Sequence, residues 1–197
     1  MATAAATKAF VARANQRLGA SGGRQRTIGQ LSVSPFGLGA YRLAEGDVKS
    51  PSLEQCLEDG ILNVIDTSSS YSDGASECRI GDVLADTLAR GTVKREEIVV
   101  VTKIGHVPAF HEPPHCVSIA RDGAEPGKHS IHPEWLQKQL AVSTARLGTA
   151  PDVVLLHNPE FALTDAKRRN VSLEAAHDHF HCGTQVRNLP PPVYMHA

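Results

Sequence analysis

Three short apolar runs of the chain each end in an ionisable residue, and this feature constrains the fold more than any other. The runs and the residues that follow them are 63–65 with Asp66, 98–102 with Lys103, and 152–156 with His157. Short runs rich in β-branched residues are typical of strands buried on both faces of a parallel sheet. Because the carboxyl ends of parallel strands meet on one side of a sheet, we expect the three groups to converge there. A single polar strand end often only meets solvent, but three in succession favour a functional site.

Amphipathic helices are predicted between these strands. They run from the Ser50-Pro51 pair to Gly60, from an N-cap at Ser76 to Gly91, and from Pro133 to Gly148. Serine N-caps, proline in the first turn and glycine after the last turn are the usual helix boundaries. Upstream, residues 30–43 alternate apolar and polar, which suits a short strand or hairpin. Alternating strands and helices predict an α/β fold built from βαβ units around a parallel sheet.

Both ends of the chain differ from this patterned region. The first 44 residues contain no Asp or Glu and are rich in Ala, Ser and basic residues. This composition is typical of an organelle transit peptide and equally of a disordered, weakly basic leader. We therefore assign residues 1–26 to a disordered or targeting leader outside the fold and residues 27–160 to the folded domain. Residues 161–197 are expected to be a divergent, poorly ordered tail with at most a weak helix over 173–181 and no further strand.

Composition excludes several classes of function. The formal net charge of −1 offers no electrostatic footprint for nucleic acid or an anionic membrane surface. No apolar run reaches the roughly 20 residues that a membrane-spanning helix needs. The four cysteines are far apart, which indicates free thiols in a reducing compartment and favours the cytoplasm. The basic leader keeps a mitochondrial or other organelle location open.

Two histidine-rich stretches are candidate metal ligands. Residues 177–182 alternate His with Asp, Phe and Cys, and His111, His115 and Cys116 lie in the long loop 105–131. Neither has a second ligand cluster at a recognisable metal-site spacing. We expect both to be solvated polar segments and predict no metal site.

Four motifs follow one another between residues 60 and 159. Residues 60–71 read Gly-Ile-Leu-Asn-Val-Ile-Asp-Thr-Ser-Ser-Ser-Tyr, and residues 74–84 contain Gly-x-Ser-Glu followed by Ile-Gly and Leu. Residues 95–103 read Arg-x-x-Ile-x-x-x-Thr-Lys, and residues 146–159 contain Arg-Leu-Gly, then Asp, and finally His-Asn-Pro. In this order they resemble the motifs of the aldo-keto reductase family. The likeness covers about residues 30–160, and the long loop 105–131 departs from it as an insertion.

The resemblance implies a fold, an activity and a set of site residues. The fold is the (β/α)8 barrel, present here as about four βα units and therefore incomplete. The activity is NADP-dependent reduction of an aldehyde, ketone or sugar carbonyl, or the reverse oxidation of an alcohol. Its catalytic residues correspond to Asp66, Tyr71, Lys103 and His157. Its NADP(H) site includes the residues Gly39, Ala40, Tyr41 and Asp66.

The chemistry of these residues agrees with such a reaction. A carbonyl that accepts a hydride gathers negative charge on oxygen and needs a proton donor, here Tyr71. An isolated phenol is a weak acid near neutrality, and the ammonium of Lys103 would stabilise the phenolate that donation leaves. Asp66 would keep Lys103 charged and in place. His157 would donate a hydrogen bond to the substrate oxygen.

The length of the chain conflicts with a complete barrel. An eight-stranded α/β barrel takes about 250 residues, and four strands are used by residue 157. A single βαβ unit needs about 30 residues, so residues 161–197 leave too little chain for the remaining units. We therefore expect a chain that lacks the half of the barrel holding most of the cofactor. The alternative is a catalytically inactive half-barrel, an interaction module or relic, whose exposed strand edge would let copies associate.

Overall fold

The structure is a computed structural model of the chain. It describes residues 1–19, 26–41, 43, 51–119, 127–175 and 193–194. The predicted N-cap Ser50 and the histidine-rich stretch 177–182 lie outside these residues.

Five helices and ten strands are present in the described part of the chain. The helices are α1 (Ala4–Arg17), α2 (Pro51–Glu58), α3 (Ala75–Ala89), α4 (Pro133–Leu147) and α5 (Phe161–Arg168). The strands are β1 (Arg26–Ile28), β2 (Leu31–Val33), β3 (Leu38–Gly39), β4 (Val64–Asp66), β5 (Val99–Ile104), β6 (His106–Val107), β7 (Val117–Ile119), β8 (Gly127–His129), β9 (Val153–Leu156) and β10 (Val193–Tyr194). Within the same ranges, no helix is long and apolar enough to cross a membrane.

A five-stranded parallel sheet carries the fold, in the order β10-β9-β5-β4-β3. This confirms the predicted α/β class, with a parallel sheet and partial βα units. Strands β3 and β10 are the two edges, so in the described residues the sheet does not close into a barrel. The expectation of no strand after residue 160 was wrong, because Val193 and Tyr194 pair with β9. This strand has only two residues, which are too few to show an apolar pattern, and it follows a proline run.

The central strand β5 is buried on both faces, as its β-branched sequence predicts. Val100 packs on one face with Ile65, Ile80 and the helices α2 and α3. Val99 and Val101 pack on the other face against the antiparallel hairpin formed by β1 and β2. Each such side chain contributes about 1.5–3 kcal/mol on burial. Because side chains alternate along a strand, Lys103 follows Val99 and Val101 on the hairpin side.

Helix α1 corrects the assignment of residues 1–26 to a leader outside the fold. Its first turn is capped by Thr3, whose hydroxyl accepts from the Ala6 amide at 3.3 Å. Its buried residues are Thr7, Phe10, Val11 and Ala14. Arg13 also pairs with Glu97 at 2.5 Å. The lack of acidic residues is typical of a leader, but the apolar stripe packs into the core that α1 shares with α2 and α3. Targeting by this segment stays a prediction.

The long loop 105–131 is not irregular throughout. Strands β6, β8 and β7 form a small antiparallel sheet in that order. Its core includes Val117, Ile119 and Ile131, which pack with Trp135 and Leu136 of α4. Strands of two or three residues leave too short a period to be read from the sequence.

Two further helix assignments change. Gly74, at φ 91°, is the N-cap of α3, and Ser76 is not. The Ser76 hydroxyl instead donates to the Ala40 carbonyl at 2.8 Å and joins Thr67 at 3.0 Å. Helix α5, directly after Pro159, was not expected. The predicted boundaries of α4 are confirmed, with Pro133 in the first turn and Gly148 as a left-handed C-cap.

The packing of α1 can be tested by truncating Phe10, which is 3% exposed. Phe10→Ala should lower the free energy of unfolding in urea by about 3–5 kcal/mol, because it removes a buried aromatic ring and leaves a cavity. The matched control is Phe110→Ala, at a ring that is 97% exposed, and it should change stability by less than about 0.5 kcal/mol. Equal effects of the two substitutions would mean that α1 does not pack on the domain.

Candidate active site

The ammonium of Lys103 is the centre of the predicted site. Its Nζ donates to Asp66 Oδ2 at 2.7 Å, to the Thr67 carbonyl at 2.8 Å and to Tyr71 Oη at 3.0 Å. All three donor positions of the ammonium are therefore used. The Lys103 side chain is 14% exposed, whereas that of Asp66 is 40% exposed. The carboxylate of Asp66 therefore pairs with a largely buried ammonium.

Neighbouring strands bring these groups together. Asp66 ends β4 and lies opposite Val101 of β5, two residues before Lys103. The chain then turns over the end of β5, where the Ser69 amide and hydroxyl donate to the Lys103 carbonyl at 3.1 and 3.0 Å. This turn delivers Tyr71 to the ammonium. As predicted, Asp66 and Lys103 meet at the carboxyl ends of two adjacent strands.

His157 reaches the same site from the end of β9. Its backbone amide donates to the Ile104 carbonyl at 2.8 Å, and the residue is 8% exposed. The ring lies edge-on to the Tyr71 ring, with centroids 5.5 Å apart. All four predicted catalytic residues are thus gathered in one place.

Three residues that hold His157 were missed in the sequence. Its Nδ1 is hydrogen-bonded to Ser68 Oγ at 2.9 Å and to Ser70 Oγ at 3.2 Å. The His106 ring stacks on it with centroids 4.4 Å apart and planes 15° from parallel. Serine contacts of this kind give no pattern in a sequence. His106 did offer a signal, since it lies three residues after Lys103 at the start of the inserted loop.

An open cleft of about 710 Å³ lies over three of the four residues. Tyr71, Lys103 and His157 line it, together with Tyr41 and residues 155–161. A neighbouring cleft of about 690 Å³, lined by residues such as Trp135 and Phe110, shares none of these residues. The first cleft is therefore the candidate active site.

Of the residues predicted to bind the cofactor, Tyr41 lines this cleft, whereas Gly39, Ala40 and Asp66 do not. Tyr41 is 58% exposed, and its ring meets the Tyr71 ring edge-on with centroids 5.1 Å apart. Gly39 is exposed, with open space where a side chain would project. Ala40 is fully buried, and its amide donates to the Asp66 carbonyl at 2.8 Å. Ala40 therefore offers no exposed surface to a ligand.

A family model described as Aldo/keto reductase family matches residues 36–182, about three quarters of the chain. The chain belongs to the aldo/keto reductase family. The match includes all four residues of the site and the inserted sheet.

Solved structures of aldo-keto reductases have the same fold. A protein from Pseudomonas aeruginosa described as an aldo-keto reductase is 23% identical, with a TM-score of 0.54. The match covers 88% of this chain and 60% of that protein. The holo form of an aldo-keto reductase from Bacillus halodurans is 21% identical, with a TM-score of 0.50, over 75% of this chain and 47% of its own. The chain therefore spans about half to three fifths of the length of these two aldo-keto reductases.

The described residues of this aldo-keto reductase chain hold no group of three or more His, Cys, Asp or Glu side chains arranged for a metal ion. His111, His115 and Cys116 are among the residues searched. The other predicted candidates, at 177–182, lie outside the described residues.

His129 of β8 packs behind the active-site histidines. Its ring lies 5.7 Å from that of His106, and Gly105 makes room for it, since a Cβ there would lie 2.3 Å from the ring. Burial lowers the pKa of His129 to about 3, and the charge of His106 adds to this effect. A hydrogen bond to the His157 backbone acts in the opposite direction but is weaker. His129 is therefore neutral in the folded protein across the physiological range.

This neutral histidine predicts a loss of stability in acid. Between about pH 6.5 and 3 the unfolded chain binds a proton at His129 and the folded chain does not, so stability falls as the pH falls. His129→Gln removes this difference. Between pH 7 and pH 5 the free energy of unfolding of His129→Gln should therefore fall by about 2 kcal/mol less than that of the wild-type chain.

Urea denaturation at the two pH values checks this prediction. The control His111→Gln replaces an exposed histidine of the same loop and should retain the wild-type loss. An unchanged pH dependence in His129→Gln would show that His129 accepts a proton in the folded state.

Proposed function

We propose that this chain carries the catalytic residues of an NADP-dependent reductase of aldehyde, ketone or sugar carbonyls, with Tyr71 as the acid. The observation that carries the proposal is the position of Lys103 Nζ, 3.0 Å from Tyr71 Oη and 2.7 Å from Asp66 Oδ2. An ammonium placed this way stabilises a phenolate. The geometry of Lys103, Tyr71 and Asp66 suits proton transfer, and it does not place any of the three as a nucleophile.

The described residues fit the reactive end of a nicotinamide cofactor. The cleft is open over Lys103, and Tyr41 presents an exposed aromatic ring at its wall. Asp66, Tyr41 and the exposed backbone at Gly39 would hold that end of NADP(H). Lys103 is the one Lys or Arg among the described residues that line the cleft, so they offer no cluster of cations for the phosphates. The cofactor, when bound, supplies the hydride that reduces the carbonyl carbon.

The chain's own residues would handle the oxygen of the substrate. His157, fixed by its contact with Ser68 and Ser70, would direct a ring N–H to that oxygen and orient the carbonyl. The Tyr71 hydroxyl would give its proton to the oxygen as negative charge develops. Lys103 would hold the resulting phenolate, and Asp66 would hold Lys103. In the reverse direction the phenolate would take the proton from an alcohol.

Replacing the acid tests this proposal. Tyr71→Phe keeps the ring and removes the proton, so the NADPH-dependent reduction rate should fall about 10²–10⁴-fold. The rate is followed as loss of NADPH absorbance with an aromatic aldehyde, a methyl ketone and an aldose. NADPH binding, measured by fluorescence quenching, should stay within about twofold, because the variant keeps the ring at the cleft wall.

Tyr194→Phe on the edge strand β10 is the control and should retain the wild-type rate. A Tyr71→Phe variant that reduces carbonyls at the wild-type rate contradicts the role of Tyr71. A wild-type chain that binds no NADPH and reduces none of the three substrates contradicts the reductase function itself.

A second candidate function is that of a non-catalytic half-barrel that associates through its sheet. The observation that favours it is the open parallel sheet, in which β3 and β10 have no outer neighbour among the described strands. An uncovered parallel edge pairs readily with another strand. Sedimentation of the purified chain, together with NADPH fluorescence quenching, distinguishes the two functions. A monomer that binds NADPH supports the reductase, and an oligomer that does not bind NADPH supports the interaction module.

A further inference from the structure

An ion pair with a buried carboxylate contacts the turn that carries Tyr71. Glu77, in the first turn of α3, has a fully buried side chain. Its Oε2 lies 3.4 Å from Nη1 of Arg146, near the end of α4. A buried carboxylate is costly unless it is paired and hydrogen-bonded, so these two residues depend on each other.

The Arg146 guanidinium also binds the turn itself. Its Nη1 donates to the Ser69 carbonyl at 3.3 Å, and its Nη2 donates to the Asp73 carbonyl at 3.4 Å. These carbonyls lie on either side of Tyr71 in sequence. The planar fork of arginine can reach several acceptors at once, which a lysine ammonium on its flexible stem does not reproduce. Arg146 therefore clamps the turn at both ends.

The backbone between the two clamped carbonyls is strained. Ser72 and Asp73, the residues after Tyr71, have φ values of 48° and 54°. Non-glycine residues in this left-handed region cost about 1–3 kcal/mol each and persist where the surroundings hold them. Gly74 follows at φ 91°, and a Cβ there would lie 2.0 Å from Arg146 Nη1. The turn is thus shaped around the guanidinium.

The same pair connects the turn to the strand that carries Lys103. The Thr102 hydroxyl, fully buried in β5, donates to Glu77 Oε1 at 2.7 Å. Thr102 immediately precedes Lys103. Glu77 therefore binds the strand of the ammonium through one oxygen and the clamp on the tyrosine turn through the other.

We propose that Arg146 and Glu77 are positioning residues that hold the Tyr71 hydroxyl at the Lys103 ammonium. Neither lines the cleft over the site, so they act through the backbone of the turn and through Thr102. The inference rests on the proposed role of Tyr71 as the acid. The inference gives a structural role to Glu77 of the Ser-Glu motif and to Arg146 of the Arg-Leu motif, neither of which takes part in the reaction itself.

Arg146→Lys is the test, because it keeps a cation for Glu77 and loses the fork. The chain has three tyrosines, so labelling with 3-fluorotyrosine gives three ¹⁹F signals, which single Tyr→Phe substitutions assign. The Tyr71 signal should shift or broaden in Arg146→Lys, and that of Tyr41 should follow in part, since the two rings touch. The Tyr194 signal is the internal reference.

Activity gives the second readout. A misplaced acid should lower kcat by about 10- to 100-fold with little change in KM, whereas a merely structural role would lower the melting temperature alone. Arg79→Lys is the matched control, since Arg79 pairs with Glu54 and is 31% exposed against 30% for Arg146. It should leave kcat and all three signals unchanged. Should Arg146→Lys fail to fold, Glu77→Gln should give the same changes at smaller size.

The two proposals can fail separately. If the wild-type chain reduces no carbonyl, the reductase function fails, and the Tyr71 signal alone decides the positioning role. A Tyr71 signal and a kcat that match wild type in folded Arg146→Lys, or in Glu77→Gln where that variant stands in, would overturn the inference.

Discussion

The Lys103 ammonium and its three acceptors are the interaction on which the site depends. The ammonium is largely buried, and a buried cation without partners tends to lose its proton or to disrupt the fold. Asp66, the Thr67 carbonyl and Tyr71 together supply every hydrogen bond that it needs. The partners come from the end of β4 and the turn that follows it, whereas Lys103 comes from the adjacent strand β5. The parallel pairing of β4 with β5 is therefore as much a part of the site as the side chains.

The scaffold around the ammonium is arranged in two layers. Beneath it, the Arg146–Glu77 pair clamps the strained turn and binds β5 through Thr102. Beside it, the inserted antiparallel sheet places His106 against the ring of His157. Gln139 of α4 supports this second layer, since its side chain accepts from the Gly105 amide at 2.7 Å and donates to the His106 carbonyl at 2.8 Å. Helix α4 thus contributes to both layers from outside the cleft.

The sequence predicted the parts of the fold that have a strong period. Strands β4, β5 and β9 are nearly continuous apolar runs, and α4 has both of its end signals, so their order and the meeting of Asp66, Lys103 and His157 could be foreseen. The short strands β6, β7 and β8 could not, because two or three residues carry no period. Helix α1 was misread because its composition resembles a leader, although Phe10, Val11 and Ala14 share one face. The roles of Ser68, Ser70 and Arg146 depend on contacts across 70 to 90 residues of chain, which no local pattern reveals.

The central claim is that this chain assembles the four residues around one ammonium, even though it spans about half to three fifths of the length of the aldo-keto reductases that it resembles in fold. A crystal structure of the chain tests the claim most directly. Lys103 Nζ is predicted to lie within about 3.2 Å of Asp66 Oδ2, the Thr67 carbonyl and Tyr71 Oη. The ring of His157 should lie beside that of Tyr71. A structure in which the Tyr71 hydroxyl lies beyond hydrogen-bond distance of Lys103, with the turn 69–74 elsewhere, would contradict the account.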